Sequence, residues 1–208
     1  MRSFSRRIGK SLSNMQQDLI SQELPKFILD DKNPLEKSKG FESISIEVGI
    51  GMAEHFTNQA LLDPSSFFIG IEPYLNGIAN CLKLMKQAEL ENFAVWPNDA
   101  DMVLVNFDDE TIEKFYLLFP DPWPKTKQKK RRFASKDRLN LIYKLIKQNG
   151  CFIFASDIAD YAFEVEEICK KIGFKKISDL PHLGYIKTKF HSKAVEAGRD
   201  PIFMTFRK

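Results

Sequence analysis

Apolar residues along this chain follow two different periods, and the change from one to the other marks out its elements. Short runs of β-type composition stand at Ser43–Val48 (SISIEV), Phe67–Glu72 (FFIGIE), Phe93–Pro97 (FAVWP), Lys114–Phe119 (KFYLLF) and Cys151–Ser156 (CFIFAS). Between them the apolar positions recur at helical spacing over Met52–Leu62, over Leu75–Leu90, in a short piece near Asp108–Glu113, and over Ser135–Gln148, where Leu139, Ile142, Leu145 and Ile146 share a face. Asn149 and Gly150 supply a stop for the last of these. A further helix is expected over Asp160–Ile172, closed by Gly173, and FKKISDL and IFMTFRK supply two final strands. Strands separated by helices imply right-handed crossovers, hence an α/β domain whose mostly parallel sheet carries helices on both faces. Residues 1–40 precede this pattern as an extension and 41–208 form the domain, with no internal repeat.

In parallel sheets, ligands bind beyond the carboxyl ends of the strands. In chain order those ends read Glu47-Val48-Gly49-Ile50-Gly51, Glu72, Asn98-Asp99-Ala100, Pro120-Asp121-Pro122-Trp123 and Ser156-Asp157, so each carries an acid. The first has the look of a nucleotide-binding turn, because glycine lets a backbone approach a ligand closely. The dinucleotide pattern G-x-G-x-x-G would need a third glycine where Glu54 stands, and a pyrophosphate there would face Glu47 and Glu54 as like charges. S-adenosylmethionine carries a sulfonium and an ammonium, no phosphate, and a ribose diol that Glu72 is spaced to hold. The acids therefore favour S-adenosylmethionine over a dinucleotide, while GIG by itself is equally a plain strand-to-helix turn.

Composition sets outer bounds. A chain of 208 residues with 43% hydrophobic residues can bury a core. No apolar stretch approaches the roughly 20 residues needed to cross a bilayer, and the N-terminus lacks the apolar run of a secretion signal. Its first residues, rich in Arg and Ser and free of acids, share their composition with mitochondrial targeting segments. Cys81, Cys151 and Cys169 are odd in number and widely spaced, which suggests a reducing compartment such as the cytoplasm, and no metal. The net charge of +3 is distributed unevenly: Lys125–Arg132 (KTKQKKRR) contributes +6 and Met1–Lys10 contributes +4, leaving −7 for the remainder. Clustered cations release condensed counterions together when they meet phosphates, so a nucleic acid becomes a candidate partner; the plain alternative is a solvated loop and a solubilising tail. Monomer and homodimer both remain open.

The densest chemistry lies in FPDPWPKTKQKKRRF, Phe119–Phe133, where Asp121 is caged between two prolines and followed by a tryptophan and six cations. Proline fixes its own φ and restricts its predecessor, so this carboxylate is held with little ordering cost. Trp123 either packs beneath the loop or stacks on a base.

The ordered set EVGIG, GIEPYLNGI, NDA, FPDPWPKTKQKKRR, one Asp after the fifth strand, and TKF near the C-terminus resembles the bacterial tRNA (guanine-N7-)-methyltransferases. The N-terminal RSFSRRIGK is similar to that family's opening, so the resemblance spans nearly the whole chain. PDPWPK with its basic run is the most specific element; the glycine turn is shared with many methyltransferases. The resemblance implies a Rossmann-like class I methyltransferase fold with a seven-stranded, mostly parallel sheet whose last strand is antiparallel. It also implies S-adenosylmethionine as methyl donor and a variable-loop guanine of tRNA as acceptor.

On the matching positions the resemblance makes Glu47, Glu72, Asp99 and Asp121 contacts to the donor, with Gly49, Gly51, Asn98 and Ala100 in the same turns, and Lys125, Asp157 and Thr188 contacts to the substrate. Lys127, Lys129, Lys130, Arg131 and Arg132 are expected to grip RNA phosphates without reading sequence. Guanine N7 has an in-plane lone pair and no proton to lose, so catalysis reduces to alignment and to a carboxylate near the purine, where positive charge appears; Asp121 is expected in that role. Asp99 and Asp157 have a second possible duty as helix caps. The chain departs from the family where Thr-x-x-Glu becomes Thr188-Lys189-Phe190-His191, because an imidazole cannot accept from both N1–H and N2 of guanine as a carboxylate does. Either another acid such as Glu196 substitutes, or the base is held more loosely, or His191 is a surface residue. Two other readings remain: a nucleic-acid methyltransferase acting on an exocyclic amine, and a non-catalytic RNA-binding module on the same fold.

Overall fold

The structure, a computed structural model, describes residues 11–208. The cations Arg2, Arg6, Arg7 and Lys10 and the opening RSFSRRIGK lie outside the described residues. The rest divides into two compact units that meet in sequence at Phe107 and Asp108.

The first unit opens with α1 (Asn14–Phe27), which Ser13 starts through a capping box with Gln16. Then come β1 (Ser43–Val48), α2 (Glu54–Leu62), β2 (Ser66–Ile71), α3 (Leu75–Gln87) and β3 (Phe93–Trp96). The three strands are parallel in the order β3-β2-β1. Every residue of β2 is buried, as expected for a strand covered on both faces. Phe56, Phe68, Ile78, Leu82, Met85 and Phe93 form the core here, and Leu19, Leu24 and Phe27 of α1 pack against it. Phe27 stacks on Phe93 with ring centroids 4.3 Å apart, and the backbone N–H of Leu29 donates to Val95. Glu23, on α1, accepts from Lys26 at 2.8 Å and from Lys86 of α3 at 2.7 Å. The segment that looked like an extension thus contributes a helix to this core.

The second unit holds β4 (Ile112–Leu118), α4 (Lys136–Leu145), β5 (Ile146–Ser156), α5 (Ala159–Ile172), β6 (Lys175–Ser178), α6 (Lys189–Glu196) and β7 (Ile202–Arg207). Its strand order is β4-β5-β7-β6; β4 and β5 are parallel, and β7 is antiparallel to both β5 and β6. The seven strands are those of a class I methyltransferase sheet, mostly parallel with the last strand reversed. Gly173 closes α5 at φ 119°, a left-handed conformation that favours glycine. No helix among the described residues is long and apolar enough to cross a membrane.

Two sequence expectations fail around β4 and β5. The helix begun at Ser135 stops at Leu145, three residues early, because Ile146 pairs with Ile112 and opens β5. No helix forms near Asp108–Glu113: the amides of Glu110 and Thr111 donate to the carbonyls of Lys144 and Leu145 across the incoming chain, and β4 starts at Ile112. Asn149 and Gly150 are therefore an irregularity inside β5. A Cβ on Gly150 would lie 2.8 Å from the Glu113 carbonyl oxygen, which explains the glycine without a helix stop.

Candidate active site

In the first unit, β1, β2 and β3 end in register, Val48 beside Ile71 and Ile71 beside Trp96, so the residues that follow share one edge. The turn after β1 needs left-handed backbone at Gly49 (φ 80°) and Gly51 (φ 55°), which glycine adopts without steric cost. Glu72 holds this turn: one carboxylate oxygen accepts the Gly51 N–H and the other accepts the Tyr74 N–H, both at 2.9 Å. A carboxylate offers about four acceptor positions, so two amides do not by themselves exhaust it. Glu47 is buried, with an oxygen 2.7 Å from Nδ1 of the equally buried His55 on α2. Asp99 does cap a short 3-10 turn at Ala100–Met102 by accepting from the Asp101 N–H, while its own N–H is held by the Asn98 side chain and its carbonyl by Trp96 Nε1. Ala100 is buried beneath them.

Two residues here escaped the sequence reading. A Cβ at Gly77, in the first turn of α3, would meet the Gly51 carbonyl oxygen at 2.2 Å, so α3 approaches the glycine turn more closely than any side chain allows. Its signal was a glycine inside a helical run, which is costly unless something needs the space. Next to it, the side-chain oxygen of Asn76 is buried without a hydrogen-bond partner, an acceptor left unmet at the start of α3. Three buried carboxylates and an unmet acceptor around a glycine turn repel a phosphate and suit a ligand with cationic and hydroxyl groups, so the set fits S-adenosylmethionine.

In the second unit β4 and β5 also end in register, Leu118 beside Ala155, placing Asp121 and Asp157 after neighbouring strands. The loop after β4 is unusual: Phe119 (φ 51°) and Trp123 (φ 41°) both hold left-handed backbone. Bulky residues in that region cost on the order of 1–3 kcal/mol each and persist only when the surroundings fix them. Asp121, between them, is exposed, yet desolvation by the surrounding protein raises its pKa above the ordinary aspartate value. Trp123 is covered by the Arg131 guanidinium, 4.9 Å from its ring, which favours the packing role for the indole.

The basic run folds as a 3-10 turn over Thr126–Arg131. At three residues per turn, side chains three apart share an edge. Lys127 and Lys130 are exposed, as is Lys125. On the other edge, Lys129 pairs with Asp160 at 2.5 Å, and Arg132 turns inward. Arg132 corrects the sequence expectation, since only 2% of it is exposed. Its Nε donates to the Pro122 carbonyl at 2.9 Å, one terminal nitrogen donates to Glu164 at 2.6 Å, and the other donates to both oxygens of Asp160 at 3.0 and 3.1 Å. The guanidinium also lies 4.5 Å over the Tyr161 ring. Desolvation alone would lower its pKa, but Glu164 and Asp160 raise it. Lys129 and then Arg132 in turn hold Asp160 below its ordinary value.

Asp157 does not cap α5: that position belongs to Ile158, with no side-chain bond, and Asp157 instead pairs with Arg199 at 2.7 Å. Thr188 caps α6 by accepting from the His191 N–H. His191 is partly buried among Tyr185, Phe119 and Phe203, with Nδ1 3.0 Å from the Tyr185 hydroxyl. Burial, then Lys187, lowers its pKa, so the imidazole is neutral near pH 7. Tyr185 also went unnoticed in the sequence, where a tyrosine three residues before Thr188 gives no sign that it meets the histidine three residues after. Glu196, the nearest acid in sequence, is exposed at the far end of α6.

A family model described as "Putative methyltransferase" matches residues 42–204. The chain is 35% identical over 218 residues to a tRNA (guanine-N(7)-)-methyltransferase of Rhizobium johnstonii, covering 99% of this chain and 94% of that protein. It is 45% identical over 212 residues to a "Bifunctional methyltransferase" of Rickettsia conorii, and spans 40% of the length of that relative. Among solved structures, the 16S rRNA methyltransferase KamB superposes with a TM-score of 0.61 at 13% identity, over 86% of this chain and 94% of that one, a likeness of fold. The near full-length match in both directions to the Rhizobium protein, together with the family model, shows that the chain belongs to the tRNA (guanine-N7-)-methyltransferase family.

Proposed function

We propose that this chain transfers a methyl group from S-adenosylmethionine to N7 of a guanine in the variable loop of tRNA. The observation that carries the reading is the loop after β4, which presents Asp121 at a strand end and exposed Lys125, Lys127 and Lys130 within the next nine residues. When bound, the donor supplies an electrophilic methyl group on a sulfonium. Glu47, Glu72 and Asp99, with Gly49, Gly51, Asn98 and Ala100, would hold it, their carboxylates favouring its positive charge and its ribose hydroxyls.

The chain's own residues then have distinct tasks. The N7 lone pair needs no base, so Asp121 serves as a fixed negative charge where the purine becomes positive. Its raised pKa reports a carboxylate short of solvation, and such a group gains more from a nearby cation than a fully hydrated one does. Lys125, Lys127 and Lys130 meet phosphates, with Arg131 beside them. Thr188, Asp157 and His191 hold the base, His191 offering it Nε2 in place of the family's carboxylate, since Nδ1 is engaged by the Tyr185 hydroxyl. Free Cys81, Cys151 and Cys169 fit a reducing compartment, the cytoplasm.

Incubation with labelled donor and bulk tRNA, followed by nuclease digestion and mapping of the labelled nucleoside, tests the proposal. The expected product is 7-methylguanosine in the variable loop. Label on an exocyclic amine, or no label together with no equilibrium binding of the donor, would replace this reading by one of its two rivals.

A further inference from the structure

We propose that Arg132 is a positioning residue for Asp121 and not one of the phosphate-binding cations, an inference that rests on the role given to Asp121 above. Prolines at 120, 122 and 124 leave Asp121 and Trp123 as the two residues with a backbone N–H in the middle of the loop, so the loop has few donors with which to brace itself. Phe119 and Trp123 nevertheless hold left-handed backbone on either side of Asp121, and something outside must keep them there. Arg132 supplies a donor at the needed place, through Nε to the carbonyl of Pro122, the residue that follows Asp121. The far end of the same guanidinium is fastened to α5 by Glu164, by both oxygens of Asp160, and by the Tyr161 ring beneath it. Arg138 and Tyr161 extend the brace, Arg138 donating to the carbonyls of Arg132 and Phe133, and the Tyr161 hydroxyl accepting the Ala134 N–H. The rigid fork of arginine is what allows one side chain to hold a carbonyl on one edge and two carboxylates on the other; lysine has the charge but not the fork.

The test is a set of three variants of the full chain: Arg132→Lys, the double change Asp160→Asn with Glu164→Gln, and Asp121→Asn as reference. Each is measured for kcat at saturating tRNA and donor, for tRNA affinity across a salt series, and for the fraction of protein that binds donor. Arg132→Lys is expected to lower kcat by about 10- to 100-fold, the range that a misplaced catalytic group produces, with the salt slope of tRNA binding unchanged. The double change loosens the same brace from α5, where both carboxylates are about half exposed and the fold tolerates their neutralisation. It should also lower kcat, while tRNA binds as well or more tightly because Lys129 is released. A normal kcat for Arg132→Lys, which keeps the charge and loses the fork, would show that the guanidinium does not position Asp121 and would overturn the proposal. A kcat loss matched by an equal loss of donor-binding protein would make it a residue of the fold alone, and would overturn it too. Full turnover by Asp121→Asn would remove the role of Asp121 itself, a failure separable from that of Arg132.

Discussion

The glycine turn of the first unit and the proline loop of the second both place acids after parallel strands, but they hold them in opposite ways. Around the glycine turn, Glu47, Glu72 and Asp99 are buried and already bonded, to His55, to the Gly51 and Tyr74 amides, and to the Asp101 amide. In the proline loop, Asp121 is exposed and its backbone is braced from a distance by Arg132. The difference matches the size of what each has to meet. On the proposed function, a small cationic ligand can be enclosed, so its acids are organised by the sheet edge itself; a tRNA cannot, so the acid proposed to face it stands on an exposed loop whose rigidity is imported. Pre-organisation is reached in both cases, by packing in one and by restraint in the other.

Substitutions can break this contrast, the largest effect coming from the loop. Asp121→Asn should reduce kcat by on the order of 100-fold or more, the scale of losing one pre-organised electrostatic group, with tRNA affinity nearly unchanged. Its melting temperature should hold or rise, because the ionised carboxyl sits where desolvation disfavours it, so neutralising it removes a destabilising charge; turnover equal to wild type, or a melting point several degrees lower, would contradict this. On the other side, Gly77→Ala must push α3 off the Gly51 carbonyl, since 2.2 Å is far inside contact distance. Donor affinity measured by calorimetry should fall at least tenfold, at a cost of about 1–3 kcal/mol from overpacking, while tRNA affinity stays. Neutralising Lys125, Lys127 and Lys130 together should weaken tRNA binding and reduce its salt slope by roughly one per cation; neutral donor binding serves as the control. The smallest effect is on pH. The role proposed for Asp121 requires its ionised form, its pKa is raised, and so kcat/KM should decline as pH falls through a value above the ordinary aspartate pKa of about 3.9. An acid limb at or below that value would show that another group governs it.

Much of this was legible before any coordinates. The strands after which Glu47, Glu72, Asp99, Asp121 and Asp157 stand could be found because short apolar runs alternate with helical ones, and the strand-end rule then turned element order into candidate site residues. What stayed hidden was set by partners distant in sequence. Ile146 continues a helical face, and only its pairing with Ile112 makes it a strand residue. Arg132 ends a run of like charges, and nothing local distinguishes it from Arg131; Asp160 and Glu164, about 30 positions on, decide its direction. Gly77 carried a local signal that went unread, and the carbonyl it approaches had none. Patterns of period and charge reveal what a residue is able to do, and the fold selects which neighbour it does it with.

The left-handed backbone at Phe119 and Trp123 bears on how the molecule comes apart. A segment kept in an unfavoured shape by its surroundings, the buried Arg132 guanidinium among them, releases energy when it lets go, so it is the natural place for a partial opening that leaves β4 and β5 intact. Its amides should trade their hydrogens for deuterium well before those of Phe115 to Leu118, only a few residues upstream. The proposed working edge of the protein would then also be its weakest seam, held from the inside.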